Sequence, residues 1–435
     1  FGEKVSDVEP VYLPDGRIVF NSIRDLKYCQ CNRHPMGNLF AMDADGANML
    51  QIGGNDLWEG HPSLMPDGRI LYSRWEYVDR QFGPSFGLWT CNPDGTSHSL
   101  FYGNNAWTPG SMLDGHVIPG TESVLCVFGA CHDLPWGAMA IVDRRRGMDG
   151  SPPVVRIWPA WTRQWLENQR NDEWHAGNID LFAATRPKYE DPWPVSDKYF
   201  LVSRTLTEDT SQSMQTGIFL VDVFGNELLL HTEKPGCYDP MPLAQRPRPP
   251  VIAPRTDLVA SEGTFYVSNV YVGTGMDQVP HGSIKWLRII EAPPKRAWTN
   301  PGGGGIDADQ APLMNWNTTV NKRIIGDVPV EPDGSAHFTV PANTFLFFQS
   351  LDENKMMVQS MRSGTFVQPG ERVGCTGCHE YRQSTTGPYR LAAGDESNPK
   401  RERASKSLGS SLTLRVSVDA SDVLVPQALS RPASK

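Results

Sequence analysis

No apolar run in this 435-residue chain reaches the roughly 18 residues that a membrane-crossing helix needs, so no membrane span is expected. A basic stripe is also missing. With a modest net charge of −9, nucleic acid is not an expected partner. The glycine run Asn300-Pro301-Gly302-Gly303-Gly304-Gly305 lacks the Lys-Ser/Thr that would make it a phosphate loop, and it reads as a flexible connection. What is plentiful is Gly (40) and Pro (36), as expected where many short strands are joined by turns. Apolar and charged contents of 39% and 20% fit a globular chain with room for two or three cored domains.

One short motif carries most of the chemistry. Cys375-Thr376-Gly377-Cys378-His379 has the Cys-x-x-Cys-His spacing of covalent c-type haem attachment. Two thiols add across the haem vinyl groups, and the adjacent imidazole lies where iron takes an axial ligand. A zinc site would want a second Cys/His pair at similar spacing, and none follows. A thioredoxin-like dithiol would sit between a strand and a helix, whereas the residues before Cys375 read as β-structure. One covalent haem c is therefore expected. Because this attachment takes place outside the cytoplasm, an export signal is expected to have been removed or to lie outside the sequence. The destination is then the periplasm or an equivalent compartment. Of the other cysteines, Cys29 and Cys31 are too close to bridge comfortably, so packing or metal contact is the default for them.

The first half repeats. Pro14-Asp15-Gly16-Arg17-Ile18-Val19-Phe20 recurs 52 residues later as Pro66-Asp67-Gly68-Arg69-Ile70-Leu71-Tyr72, each a tight turn feeding an apolar strand. Leu39 to Gly46 and Leu88 to Gly95 form a second pair, 49 residues apart. A period near 50 with about four strands describes a β-propeller blade. Later copies are degenerate: Ser123–Phe128 with Ala138–Asp143, and Tyr199–Ser203 with Gly217–Asp222 and Glu227–His231. Trp158 to Asp180 reads as an insertion with a short helix rather than a blade strand. The Pro-rich stretch from Pro240 to Pro254 cannot continue a central strand. The expected architecture is mainly β. A TolB-like propeller, not necessarily complete, occupies 1–250, a β-rich domain carrying one haem c occupies 251–394, and a linker or tail occupies 395–435.

Taken in order, these features resemble the alpha subunit of hydrazine synthase and its relatives, most closely from about Cys237 to Arg382. The resemblance rests on Asp239-Pro240-Met241-Pro242-Leu243 with the following Arg-Pro-Arg-Pro-Pro, and on Gly326 to Ala336 with Val340-Pro341-Ala342-Asn343. It ends on Gln359-Ser360-Met361-Arg362-Ser363, Gln368-Pro369-Gly370-Glu371 and Gly374 to Glu380. It implies a catalytic haem that makes hydrazine from nitric oxide and ammonia through hydroxylamine. It also implies a tyrosine iron ligand shortly after the motif, with the motif histidine turned to a zinc ion shared with a propeller cysteine. On this chain those positions are Tyr381 or Tyr389, His379 and Cys237. Two departures stand out: no second Cys-x-x-Cys-His follows, and the chain starts directly at a blade.

His379 thus has two readings, as iron ligand or zinc ligand, and Tyr381 has two, as phenolate ligand or packing aromatic. His132 and Asp133 lie in a polar break between two strands, where they either transfer protons near the haem or form a solvated turn. Trp174-His175 is a weaker candidate. The alternatives to a nitrogen oxidoreductase are an electron-transfer cytochrome, with a Met or His opposite His379, and a peroxidase-like enzyme. Small inorganic substrates, a redox-partner cytochrome and further subunits are the expected partners. A denaturing gel stained for haem-catalysed peroxidation should show a band at the mass of the chain. Cys375→Ala with Cys378→Ala should abolish it, and a colourless wild type from a host competent in haem attachment refutes covalent haem.

Overall fold

A computed structural model of the chain describes residues 5–29, 34–77, 86–103, 108–167, 178–207, 215–273, 275–296, 322–361, 363–377 and 414–415. These residues are mainly β, in several sheets, none of which closes into a barrel. Four four-stranded antiparallel meanders come first. They are β1 (Asp7–Tyr12), β2 (Ile18–Ser22), β3 (Asn38–Met42) and β4 (Leu50–Gln51); then β5 (Trp58–Leu64), β6 (Ile70–Trp75), β7 (Phe86–Cys91) and β8 (Ser99–Tyr102). The third holds β9 (Ser111–Val117), β10 (Ser123–Gly129), β11 (Gly137–Asp143) and β12 (Val154–Trp158). The fourth holds β13 (Tyr189–Pro194), β14 (Tyr199–Thr205), β15 (Thr216–Asp222) and β16 (Glu227–Thr232). A single bridge, Gly137 to Tyr189, joins the third and fourth meanders into one sheet.

The repeats specify the hairpins. In both copies of the Pro-Asp-Gly turn the glycine takes a left-handed backbone (φ 95° at Gly16, 89° at Gly68), and the aspartate accepts from the backbone and side chain of the following arginine. The apolar strand faces then stack. Val19, Leu39 and Ala41 pack on Ile70, Tyr72 and Trp89; Leu71, Leu88 and Tyr102 on Met112, Val124 and Phe128; and Leu125, Met139 and Ile141 on Tyr189, Phe200 and Val202. Burial on both faces explains why β10 and β11 read as continuous apolar runs rather than alternating ones.

The first strand of every meander is kinked. Registers shift at Val8/Val11, Gly60/Ser63, Leu113/His116 (opposite Leu125/Val127 of β10) and Glu190/Trp193, and at these bulges Glu9, His61, Asp114 and Asp191 all have φ between 50° and 59°. Left-handed non-glycine residues are uncommon, and Asp and His are among the types that tolerate the conformation.

Trp158, expected at the head of an insertion, instead ends β12, paired with Met139. Its ring packs in the core beside Phe200 and Tyr189, so burial of a large aromatic overrides the polar residues that follow. As expected, the insertion carries a short α-helix at Gln164–Glu167, flanked among the described residues by 3₁₀ turns at Ala160–Arg163 and Asn178–Ala184.

After the meanders come β17 (Glu262–Val267), β18 (Trp286–Glu291), β19 (Arg323–Pro329), β20 (Ala336–Pro341), β21 (Leu346–Leu351), β22 (Met357–Ser360), β23 (Arg372–Cys375) and β24 (Leu414–Arg415). They form two sheets, ordered β23-β17-β20-β24 and β19-β18-β21-β22. Their shared core sets Phe265 and Phe338 edge-on to Phe348, at 5.2 and 5.3 Å between ring centroids.

The Pro-rich segment has no regular structure and runs across the turns of the meanders. Arg246 stacks on Trp193, Arg248 donates to the Pro14 carbonyl, Pro250 lies against Gly68, and the Arg255 amide donates to Asp94. This placement separates two otherwise equivalent glycines. Gly16→Ala meets open space and should cost only its left-handed backbone, about 1 kcal/mol. Gly68→Ala would also drive its Cβ into the Pro250 carbonyl oxygen. Urea unfolding should therefore show the larger loss for Gly68→Ala, with faster proteolytic cleavage between Pro240 and Pro254. Equal losses would show that the segment does not bear on this turn.

Candidate functional site

The haem-attachment motif begins where β23 ends. Strand β23 runs parallel to β17 with Cys375 opposite Val267, and the Cys375 and Thr376 carbonyls accept from the Ser268 and Asn269 amides at 2.9 and 3.2 Å. Cys375 is half-buried and packs against the core between the two sheets. Gly377 passes so close to the chain at Val272 that any Cβ would overlap the Val272 and Asn269 carbonyl oxygens, so the second variable residue of the motif must be glycine here. Cys378, His379, Tyr381 and Tyr389 lie outside the described residues, as do Cys31 and His175.

His132 and Asp133 sit in the turn between β10 and β11, and both are committed to partners. His132 is 56% exposed, and its Nδ1 and backbone amide each lie 2.8 Å from the Asp180 carboxylate. Asp133 pairs with Lys188, whose ammonium also lies 5.3 Å from the Trp136 ring centroid. Burial lowers the Lys188 pKa, and the Asp133 charge partly restores it. A carboxylate-held imidazole at the surface is a competent proton carrier. Sequence reading did not find Asp180, because it comes from the far side of the insertion.

Cys237 is buried just beyond β16, tied to Thr216 in both directions: its amide donates to Thr216 Oγ1 at 3.0 Å and its carbonyl accepts from it at 2.8 Å. His231, Glu233 and Cys237 offer a nitrogen, an oxygen and a sulfur within 4.8 Å of one another. That is a donor set zinc accepts. Cys237 was legible in the sequence and its two companions were not, since an isolated His-x-Glu carries no signal by itself. Cys91 and Cys126 are free thiols buried in the stacked cores, and burial pushes both above the ordinary thiol pKa. Cys29 is buried among Tyr77, Phe345 and Phe347.

A further cluster went unread. The kinked residues of successive meanders meet: His61 pairs with Asp114 and lies 3.5 Å from Glu9, while Asp191 accepts from the amide of Asp239, itself at φ 49°. The available signal was an acid or histidine followed by proline at Glu9-Pro10, His61-Pro62, Asp191-Pro192 and Asp239-Pro240.

These features describe a chain of stacked β-meanders leading into a two-sheet domain that ends in a haem-attachment motif. Residues 282–380, from just before β18 through the motif, match the family model described as the hydrazine synthase alpha subunit middle domain. The fold is similar to a solved structure, Kuenenia stuttgartiensis hydrazine synthase, with a TM-score of 0.63 and 19% identity over 86% of this chain. The match spans 57% of that longer chain. The Bacillus anthracis TIE protein aligns over 78% of this chain and 45% of its own, at 8% identity and a TM-score of 0.15, which carries no argument about fold. No curated protein sequence matches.

The His61 cluster gives stability a pH dependence. Burial alone would lower the His61 pKa, but the Asp114 and Glu9 carboxylates overcome it and hold it at about 10. Burial and neighbouring carboxylates raise Glu190 to about 8 and Asp191 to about 6. All three groups bind protons more tightly folded than unfolded, so their stabilisation is complete at low pH and is lost as pH rises through these values. Urea midpoints should fall from pH 7 to 10, and His61→Gln should flatten the part of that fall above pH 8. A slope unchanged in His61→Gln would remove His61 as its source.

Proposed function

We propose that this chain is a c-type haem oxidoreductase of small inorganic nitrogen species, working as hydrazine synthase alpha subunits do: nitric oxide is reduced to hydroxylamine, which condenses with ammonia to give hydrazine and water. The observation that carries this reading is that Cys375 to His379 falls inside the matched stretch 282–380. The face-to-face packing of the four meanders supports reading 1–250 as blades of a TolB-like propeller, with 251–394 as the haem domain and 395–435 as linker or tail. The reading places the chain in the periplasm or an equivalent compartment, with further subunits and a redox-partner cytochrome supplying electrons.

The described part of the motif fits the group. A half-buried thiol at a strand end and a glycine that admits close chain passage suit thioether attachment at Cys375 and Cys378. When bound, the haem supplies an iron that takes up small nitrogen oxides and exchanges electrons. His379, or Tyr381 or Tyr389 in its place, would be the residue that holds the iron. Cys237, His231 and Glu233 would hold a zinc ion, which has no redox chemistry, and the family reading adds His379 as a further ligand. His132, held at Nδ1 by Asp180, moves protons through Nε2, and Asp133 anchors the same turn through Lys188.

Two measurements test this reading. His379→Ala should keep the covalent haem and lose about one zinc per chain, because thioether bonds do not depend on that imidazole. The reduced wild type should bind nitric oxide directly and, given ammonium and an electron donor, form hydrazine. A low-spin His/Met or His/His spectrum that resists nitric oxide makes the chain an electron carrier. Turnover of peroxide alone makes it a peroxidase.

A further inference from the structure

Away from the haem motif, a buried polar cluster includes five side-chain oxygens without a hydrogen bond of normal geometry. It lies where the connection from β4 enters β5, beside the apolar seam between the meanders and the C-terminal sheets. Lys27, Asn38, Asn55, Asp56 and Glu59 form it, and none is more than 3% exposed. Asn38 ties the cluster together, its Nδ2 donating to Glu59 Oε2 at 2.7 Å and to the Asn55 carbonyl at 3.2 Å. The Lys27 ammonium donates to that same carbonyl, and Asn55 Nδ2 donates to the carbonyls of Trp58 and Trp75. Asn38 Oδ1, Asn55 Oδ1, both Asp56 oxygens and Glu59 Oε1 then remain without a hydrogen-bond partner. The Tyr77 backbone amide favours the charged form of Asp56, but neither Asp56 oxygen makes a hydrogen bond of normal length and angle.

Buried acceptors without donors are rare in native proteins, and five in one cluster need a common explanation. A water molecule brings two protons and meets at most two of them, whereas a cation can draw on several oxygens at once. Charge points the same way. Asp25, Asp56, Glu59 and Glu76 act with Lys27, Arg74 and Arg296 in one network, which leaves four carboxylates against three cations. Every orphan atom is a carboxylate or amide oxygen, the donor type of hard cations, with no thiol or imidazole to favour zinc. Asp56, with both oxygens open, offers the two-point grip that calcium sites use. The backbone is shaped to suit, because a Cβ on Gly53 would overlap Glu59 Oε2 and push that carboxylate out of place.

We propose that Asn38, Asn55, Asp56 and Glu59 form a buried cation site of calcium type at the seam between the first two meanders and the C-terminal sheets. The site is independent of the haem reading and of the His231–Glu233–Cys237 donor set.

The test uses the full chain. Elemental analysis should find calcium retained on purification, and chelation should lower the melting temperature. Calcium should restore it, while magnesium or sodium at equal concentration should not. Terbium should give emission on tryptophan excitation, since Trp58 and Trp75 adjoin the site, and calcium should displace it. Asp56→Asn should weaken calcium binding at least about tenfold, because a ligand charge is lost. Cys237→Ser should leave the response intact. If Asp56→Asn does not fold, the wild-type calcium content and terbium displacement decide. No retained calcium, with a melting temperature indifferent to chelator and no displaceable terbium emission, overturns the site in favour of a protonated or hydrated Asp56. A calcium response undiminished in Asp56→Asn overturns it too, by placing the ion elsewhere.

Discussion

A single buried guanidinium fastens the two parts of this molecule together. Arg74, at the end of β6, is 1% exposed, as is its partner Glu76 at 2.6 Å. Removing two charges from water costs several kcal/mol per ion, so the pair by itself is weak evidence for stability. What offsets that cost comes from several segments at once. The guanidinium lies 4.1 Å from the Trp89 ring centroid and 5.4 and 5.6 Å from those of Phe345 and Phe366, and it donates to the Gly364 carbonyl. Ser363 completes the set by donating to Glu76. Breaking such a pair from one side leaves the other charge buried and alone, at about 3–5 kcal/mol. Docking of the C-terminal sheets is therefore coupled to the second meander's own folding.

Around that anchor, secondary contacts set the seam. The Ser97 amide donates to Glu371, Gln368 donates to the Ile52 carbonyl, and Arg296 pairs with Asp25. The Pro-rich segment adds a lacing across the turns of the meanders, held by Arg246 and Arg248 rather than by strand pairing. Prolines cannot donate to a ladder, and this segment uses carbonyls and stacking instead. The haem motif inherits its position from these contacts, because β23 follows Glu371 within one residue.

The donor sets in the molecule differ in character, and their chemistry follows from where they sit. The set around Cys237 mixes sulfur, nitrogen and oxygen, with two of its three members exposed. The unpartnered atoms around Asn55–Glu59 are all oxygens, on residues no more than 3% exposed. The kinked residues Glu9, His61, Asp114 and Asp191 arise differently again. The same bulge recurs in each first strand, so a local backbone irregularity, repeated, becomes a cluster of charged side chains in space.

Local chemistry was written plainly in the sequence. The Pro-Asp-Gly repeats specified turns whose geometry is the same in both copies, because turn formation depends on neighbours a few residues apart, and the Cys-x-x-Cys-His spacing is visible in the sequence alone. The mainly β character followed from the same short-range patterns. What only the tertiary structure decided was partnership at long range. His132 met Asp180 and Cys237 met His231 and Glu233; Arg74 met Gly364 across 290 residues. Trp158 left the insertion for the core. Such pairings depend on how whole sheets stack, and stacking is set by the summed burial of many apolar faces, which no single stretch of sequence records.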